Sequence, residues 1–166
     1  MAKSKSEMDQ ITEQAISRRG VLAKIYFDMH ADEKEKLQPL LMDLINERLL
    51  KSSGVIYCYG SIDEPLQTSP TNYSTSAIVT MLFKDLDSIV NVVFNFAPVA
   101  VDILKPEGEY RMTMQELQAM LISISQISVN YSEYILNRVL TKEDLDKVME
   151  DMKNREEIGK RLMKKD

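Results

Sequence analysis

One cysteine, one histidine and no tryptophan stand in a chain of 166 residues. Cys58, being alone, excludes an intramolecular disulfide and a multi-cysteine zinc site. The five glycines are scattered with no GxGxxG or GxxxxGK[ST] spacing, which removes the usual phosphate-cradling loops. No run approaches the ~18 apolar residues of a membrane helix, and the opening MAKSKSEMDQ lacks the apolar core of a signal peptide. Together these absences give an expectation of a cytoplasmic chain with no membrane partner.

Positive charge is also short. Lys and Arg number 21 against 26 Asp and Glu, a net charge of -5. Nonspecific affinity for a phosphate backbone comes from accumulated cations, so no nucleic-acid partner is expected. The segment TSAIVTMLFK has neither the aromatics nor the basic density of an RNA-reading sheet. The basic run Lys160, Arg161, Lys164 and Lys165 reads as a solvated helix end that suits the helix dipole.

What is present is an ordinary globular pattern, 44% apolar and long enough for a real core. Ser4 to Arg18 reads as a short helix with a Ser4/Glu7 capping pair and Met8, Ile11 and Ala15 on one side, ended by Gly20. Val21 to His30 alternates with period two, Val21, Ala23, Ile25, Phe27 and Met29 forming an apolar face. Asp32 and Glu35 suggest a capping box for a helix with the stripe Leu37, Leu40, Leu41, Leu44 and Ile45. Pro39 should disturb that helix, and Gly54 suits its end. Val55 to Gly60 reads as a second strand. The stretch 61–73, with Pro65 and Pro70, reads as a long loop.

Thr75 to Lys84 resumes alternation, with Ala77, Val79, Met81 and Phe83 together. A helix with Leu86, Ile89, Val90, Val93 and Ala97 follows, closed by Pro98. Val99, Val101 and Ile103 mark a fourth strand that stops at Pro106 and Gly108. The order predicts a ferredoxin-like βαββαβ sandwich, an α+β fold with a four-stranded antiparallel sheet. It carries a short N-terminal helix and two long C-terminal helices. The expected organisation is an N-terminal extension over 1–19, the α/β domain over 20–108, and a helical extension over 109–166 packed on that domain or on a partner subunit.

Thr113 offers a complete helix start, with Glu116 positioned to bond back and Met112 to staple against Leu117. Thr141 and Asp144 repeat the pattern for a last helix. The Thr113 helix carries two apolar stripes. One holds Leu117, Met120, Leu121, Ile124, Ile127, Tyr131 and Ile135; the other holds Ile122, Val129, Leu136 and Leu140. Two stripes imply two partners. Ile122, Val129, Leu136 and Leu140, with Met149 and Met152 of the last helix, are therefore candidate interface residues.

The sheet's second face would mix Tyr26, Ile78, Leu82, Ala100 and Leu104 with Lys24, Asp28, Thr80 and Asp102. That is too apolar for bare solvent, so a cover is expected: terminal helices, a second subunit or a small ligand. Tyr26, Asp28, His30 and Asp102 are the candidate ligand-binding residues there. Lys24 and Asp102 are placed to pair across neighbouring strands. Asp28, His30 and Asp32 alternate ligand types, but no second histidine supports them, so no metal and no cofactor are assigned. Cys58 and His30 fall on strands separated by a third, too far apart for a nucleophile–base pair, and no catalytic residue is assigned. The expectation is a noncatalytic homo-oligomer, a dimer acting as a regulatory or scaffold module with a possible protein partner. The alternatives are a small-molecule sensor binding beside the sheet or under 61–73, and an enzyme using dispersed polar residues.

Overall fold

A computed structural model describes residues 6–139 and the single positions 144, 147, 150, 151, 153 and 154. The elements are α1 (Glu7–Ser17), β1 (Val21–Ala31), α2 (Lys34–Asp43), β2 (Val55–Ile62), β3 (Leu66–Ser69), β4 (Asn72–Phe83), α3 (Leu86–Phe96), β5 (Ala100–Lys105) and α4 (Met114–Val139). The fold is α+β, an antiparallel sheet of five strands with four α-helices among the described residues. Strands run in the order β2-β4-β1-β5, and β3 pairs with β4. The chain divides into two compact units, Met1–Leu121 and Ile122–Asp166.

The alternation of β1 and β4 becomes the core directly. Val21, Ala23, Ile25 and Phe27 meet Phe83, Met81, Val79 and Ala77 in antiparallel register, and all eight are buried. Leu41 of α2, Leu49, and Ile89 and Val92 of α3 close over this face. Burying each such Leu, Ile or Phe stabilises by about 1.5–3 kcal/mol relative to exposure. Asp85 starts α3, its carboxylate accepting from the Ser88 N–H at 2.9 Å, and Ala97 ends it in the left-handed region.

Several local expectations are corrected. The cap of α1 is Ser6 with Asp9, and Ser4 of the expected Ser4/Glu7 pair lies outside the described residues; the Ser6 and Asp9 side chains each accept from the other's backbone N–H at 3.2 Å. Both pairs match the capping motif, so spacing alone could not choose. The face of α1 that is buried carries Thr12 and Ala15, while Met8 and Ile11 are exposed. Asp32 does not cap α2. Because β1 runs on to Ala31, the helix begins at Lys34 with Glu33 at its cap position and no side-chain cap bond. Leu37 and Leu41 are buried as expected, but Leu40 is exposed. Pro39 lies inside α2, which passes into a π-helical segment, Leu44–Leu49.

The stretch 61–73 is not a loop. After β2, Asp63 keeps contact with β4: its N–H donates to Ser76 O at 2.9 Å, and Thr75 Oγ1 donates to its carbonyl at 2.7 Å. Pro65 is buried at the break, pairing resumes as β3, and Pro70–Thr71 make the turn into β4. Prolines suit an edge strand and a turn because neither needs their missing N–H. The fifth strand is this addition to the four anticipated.

Candidate functional site

Tyr26, Asp28 and His30 lie on one face of β1 by alternation, and Asp102 shares that face because it opposes Lys24 in the β1–β5 register. The expected juxtaposition is therefore present, but as an open strip. Tyr26 is half-buried, and Asp28, His30 and Asp102 are exposed. Asp28 accepts from Ser76 Oγ at 2.6 Å. Lys24 and Asp102 are Cα partners, yet no ion pair joins them. Among the described residues no group of His, Cys, Asp and Glu is arranged to hold a metal ion.

Part of this face has a cover that the periodicity did not assign: α1. Tyr57, Leu82, Leu22 and Lys105 form one row across β2, β4, β1 and β5. The Tyr57 hydroxyl lies 2.8 Å from Thr12 Oγ1 on α1, and Leu82 is fully buried. A cavity of about 490 Å³ remains between α1 and the sheet, lined by Met8, Thr12, Leu22, Tyr57, Tyr59 and Lys105 among others. Tyr57 and Tyr59 stack along one wall with ring centroids 6.0 Å apart. This is a ligand-sized space with aromatic walls, and the sequence reading missed it because α1 and β2 are far apart in the chain.

Thr113 caps α4 as expected. Its Oγ1 accepts from the Glu116 N–H at 3.2 Å, while the Glu116 carboxylate accepts from the Thr113 N–H at 2.6 Å. Those bonds, with an ion pair to Arg19, hold the Glu116 carboxyl below the usual carboxylate range. Tyr110 donates from its hydroxyl to Arg19 O at 2.9 Å, so the α1–β1 turn is tied to the start of α4. Burial pushes the Tyr110 phenol up.

Along α4 the apolar stripes are partly exposed, with Leu117, Met120, Ile124 and Ile127 half-buried. Leu121 is 57%, Ile122 63% and Tyr131 59% exposed; Tyr134 and Ile135 are also exposed, and Val129 and Leu136 are half-buried. Leu140, Met149 and Met152, the other candidate interface residues, lie outside the described residues, as does Thr141 of the expected last helix.

A second uncovered strip lies on β5. Val101 opposes Ile25 and Ile103 opposes Ala23, so both sit on the core side of the sheet. Their β1 partners are fully buried, but Val101 is 38% and Ile103 49% exposed, and the preceding Val99 is 63% exposed. The sequence showed a core-like alternation and could not show that these side chains are exposed.

Cys58 opposes Met81, whereas His30 opposes Ser74, so the two lie at different levels as well as on different strands. Burial pushes the Cys58 thiol up, which keeps it protonated and weakly nucleophilic at neutral pH. No described helix is long and apolar enough to cross a membrane. In comparison with known proteins, the model of the MJ0538 family matches residues 22–163. No curated protein and no solved structure matches.

Proposed function

We propose that this chain, which belongs to the MJ0538 family, is a noncatalytic homo-oligomeric protein, a dimer in its simplest form, serving as a regulatory or scaffold module. The observation that carries this reading is the apolar surface of α4. Leu121, Ile122, Tyr131, Tyr134 and Ile135 are all exposed within one helix. Apolar area of this kind is stabilised by removal from water at roughly 25 cal/mol per Å², and several large exposed apolar side chains on one helix support an association surface. The strand order β2-β4-β1-β5, with α2 and α3 over one face, supports a ferredoxin-like reading of the α/β part. Such a fold carries no function by itself.

Light scattering coupled to gel filtration tests the proposal. A mass of two or more chains is expected, falling towards one chain in an Ile122→Lys, Ile135→Lys variant that retains its circular dichroism. A wild-type protein that stays monomeric at high micromolar concentration overturns it.

A small-molecule sensor is the second reading, favoured by the cavity under α1 with its stacked Tyr57 and Tyr59. A bound metabolite would raise the melting temperature by stabilising the folded state. A broad metabolite panel that shifts nothing removes this reading, as does a hit whose shift survives Tyr59→Ala.

A further inference from the structure

We propose that a cavity beside α3 binds a neutral saccharide, a disaccharide where its whole length is used. This site is independent of the association reading. The cavity holds about 420 Å³, within the range of small-molecule sites. Asp87, Asn91 and Asn95 line it from α3, and their spacing of four residues sets them along one side of the helix. Phe96 adds an aromatic ring at the end of the same helix. Ser53, just before β2, and Lys84, just after β4, complete the polar lining.

Hydrogen bonding along α3 decides what this lining offers. The Asn91 side-chain amide donates to Asp87 O at 2.9 Å and to Asp87 Oδ2 at 3.2 Å, and that of Asn95 donates to Asn91 O at 2.8 Å. Both amide nitrogens are thus held by the helix itself. No hydrogen bond among the described residues reaches either amide oxygen. Asp87 Oδ1 is buried with no partner, although buried polar atoms are normally paired. The α3 side is therefore short of donors, with acceptor-bearing residues at intervals of about 6 Å from a rise of 1.5 Å per residue. Lys84 and Ser53 supply donors beside it. An anion would meet the Asp87 carboxylate and the amide oxygens, whereas a cation would meet Lys84. A neutral polyol suits both sets, its hydroxyls donating to the α3 residues and accepting from Lys84 and Ser53. The C–H face of a sugar ring suits Phe96. One ring spans two of the α3 residues, and two linked rings span all three.

Backbone chemical shifts of the isotope-labelled full chain, titrated with maltose, cellobiose, lactose and trehalose, test the proposal. Melting temperature is a poor readout, because sugars raise it through exclusion from any protein surface. At least one disaccharide should give saturable shifts confined to residues 52–54 and 84–96. Asn95→Ala, at an exposed position outside the core, should raise that sugar's dissociation constant at least about tenfold, with circular dichroism unchanged. Tyr59→Ala, in the separate cavity under α1, should leave it unaltered. The inference is overturned if no sugar gives saturable shifts, or if Asn95→Ala binds as well as wild type. Spermidine or inorganic phosphate binding these residues more tightly than every sugar overturns it too. Shifts that centre on Tyr57 and Tyr59 and vanish in Tyr59→Ala would place the sugar under α1, removing this site while supporting the sensor reading.

Discussion

The hydroxyls of Thr12 and Tyr57 meet at 2.8 Å and tie α1 to the edge strand β2. The direction of that bond follows from its neighbour. Thr12 Oγ1 donates to Met8 O at 2.7 Å, so it accepts from the Tyr57 hydroxyl. Thr12 is buried, and both residues line the space beneath α1.

Tyr57→Phe should therefore cost about 0.5–1.5 kcal/mol, the net worth of one such bond, since Thr12 keeps its other partner. Thr12→Val should cost a similar amount, and the double variant less than the sum of the two because they share one bond. Urea denaturation of all four proteins checks this. Fully additive costs would show that the two hydroxyls do not act on each other.

Gly54 has φ +82, and a Cβ added there would lie 1.9 Å from Ser88 Oγ. Ser88 cannot retreat easily, because it is buried and its N–H and hydroxyl both bond Asp85 at the start of α3. Gly54→Ala thus combines an unfavourable backbone conformation with displacement of a helix cap. A loss of about 2–4 kcal/mol is expected in thermal or urea denaturation. The control Gly108→Ala shares the positive φ but meets nothing within 4 Å, so its loss should be smaller.

Glu116 links stability to pH with a definite sign. Its carboxyl is held low, first by the Thr113 N–H and hydroxyl and then by Arg19. A depressed folded-state value contributes stability that is present above the unfolded carboxylate range and is lost as pH falls through the folded value. Glu116→Gln should accordingly be less stable than wild type at neutral pH, and the two curves should converge in acid. Melting temperatures measured from neutral pH downward test this. A gap that persists unchanged at the lowest pH would assign the effect to something other than the carboxylate.

The sequence made much of this framework legible. The period-two pattern of β1 identified Val21, Ala23, Ile25 and Phe27 as core, and Thr113 with Glu116 located the start of α4 to the residue. Local signals failed where two readings fitted equally: Ser4/Glu7 and Ser6/Asp9 have the same spacing, and Pro65 and Pro70 suit a loop as well as an edge strand. Longer-range features had no local signal at all. Nothing near Val101 says that it is exposed, and nothing near Tyr57 says that α1 lies over it. The candidate strip of Tyr26, Asp28, His30 and Asp102 was legible as a shared face, whereas its openness was not.

Ile25 and Val101 oppose one another on the same face of β1 and β5, yet one is fully buried and the other is 38% exposed. Truncating each should therefore read out different states of the protein. Ile25→Val removes a methylene from a closed core and should cost about 0.5–1.5 kcal/mol at every protein concentration. Val101→Thr changes an exposed side chain and should stay within about 0.5 kcal/mol of wild type in dilute solution. If copies associate as proposed, association stabilises the folded state by mass action, so the wild-type melting temperature rises with concentration. Ile25→Val should shift the whole series down with its slope intact. Melting curves across a wide concentration range distinguish the cases. A Val101→Thr deficit that is large and independent of concentration would mean that Val101 is packed within the single chain.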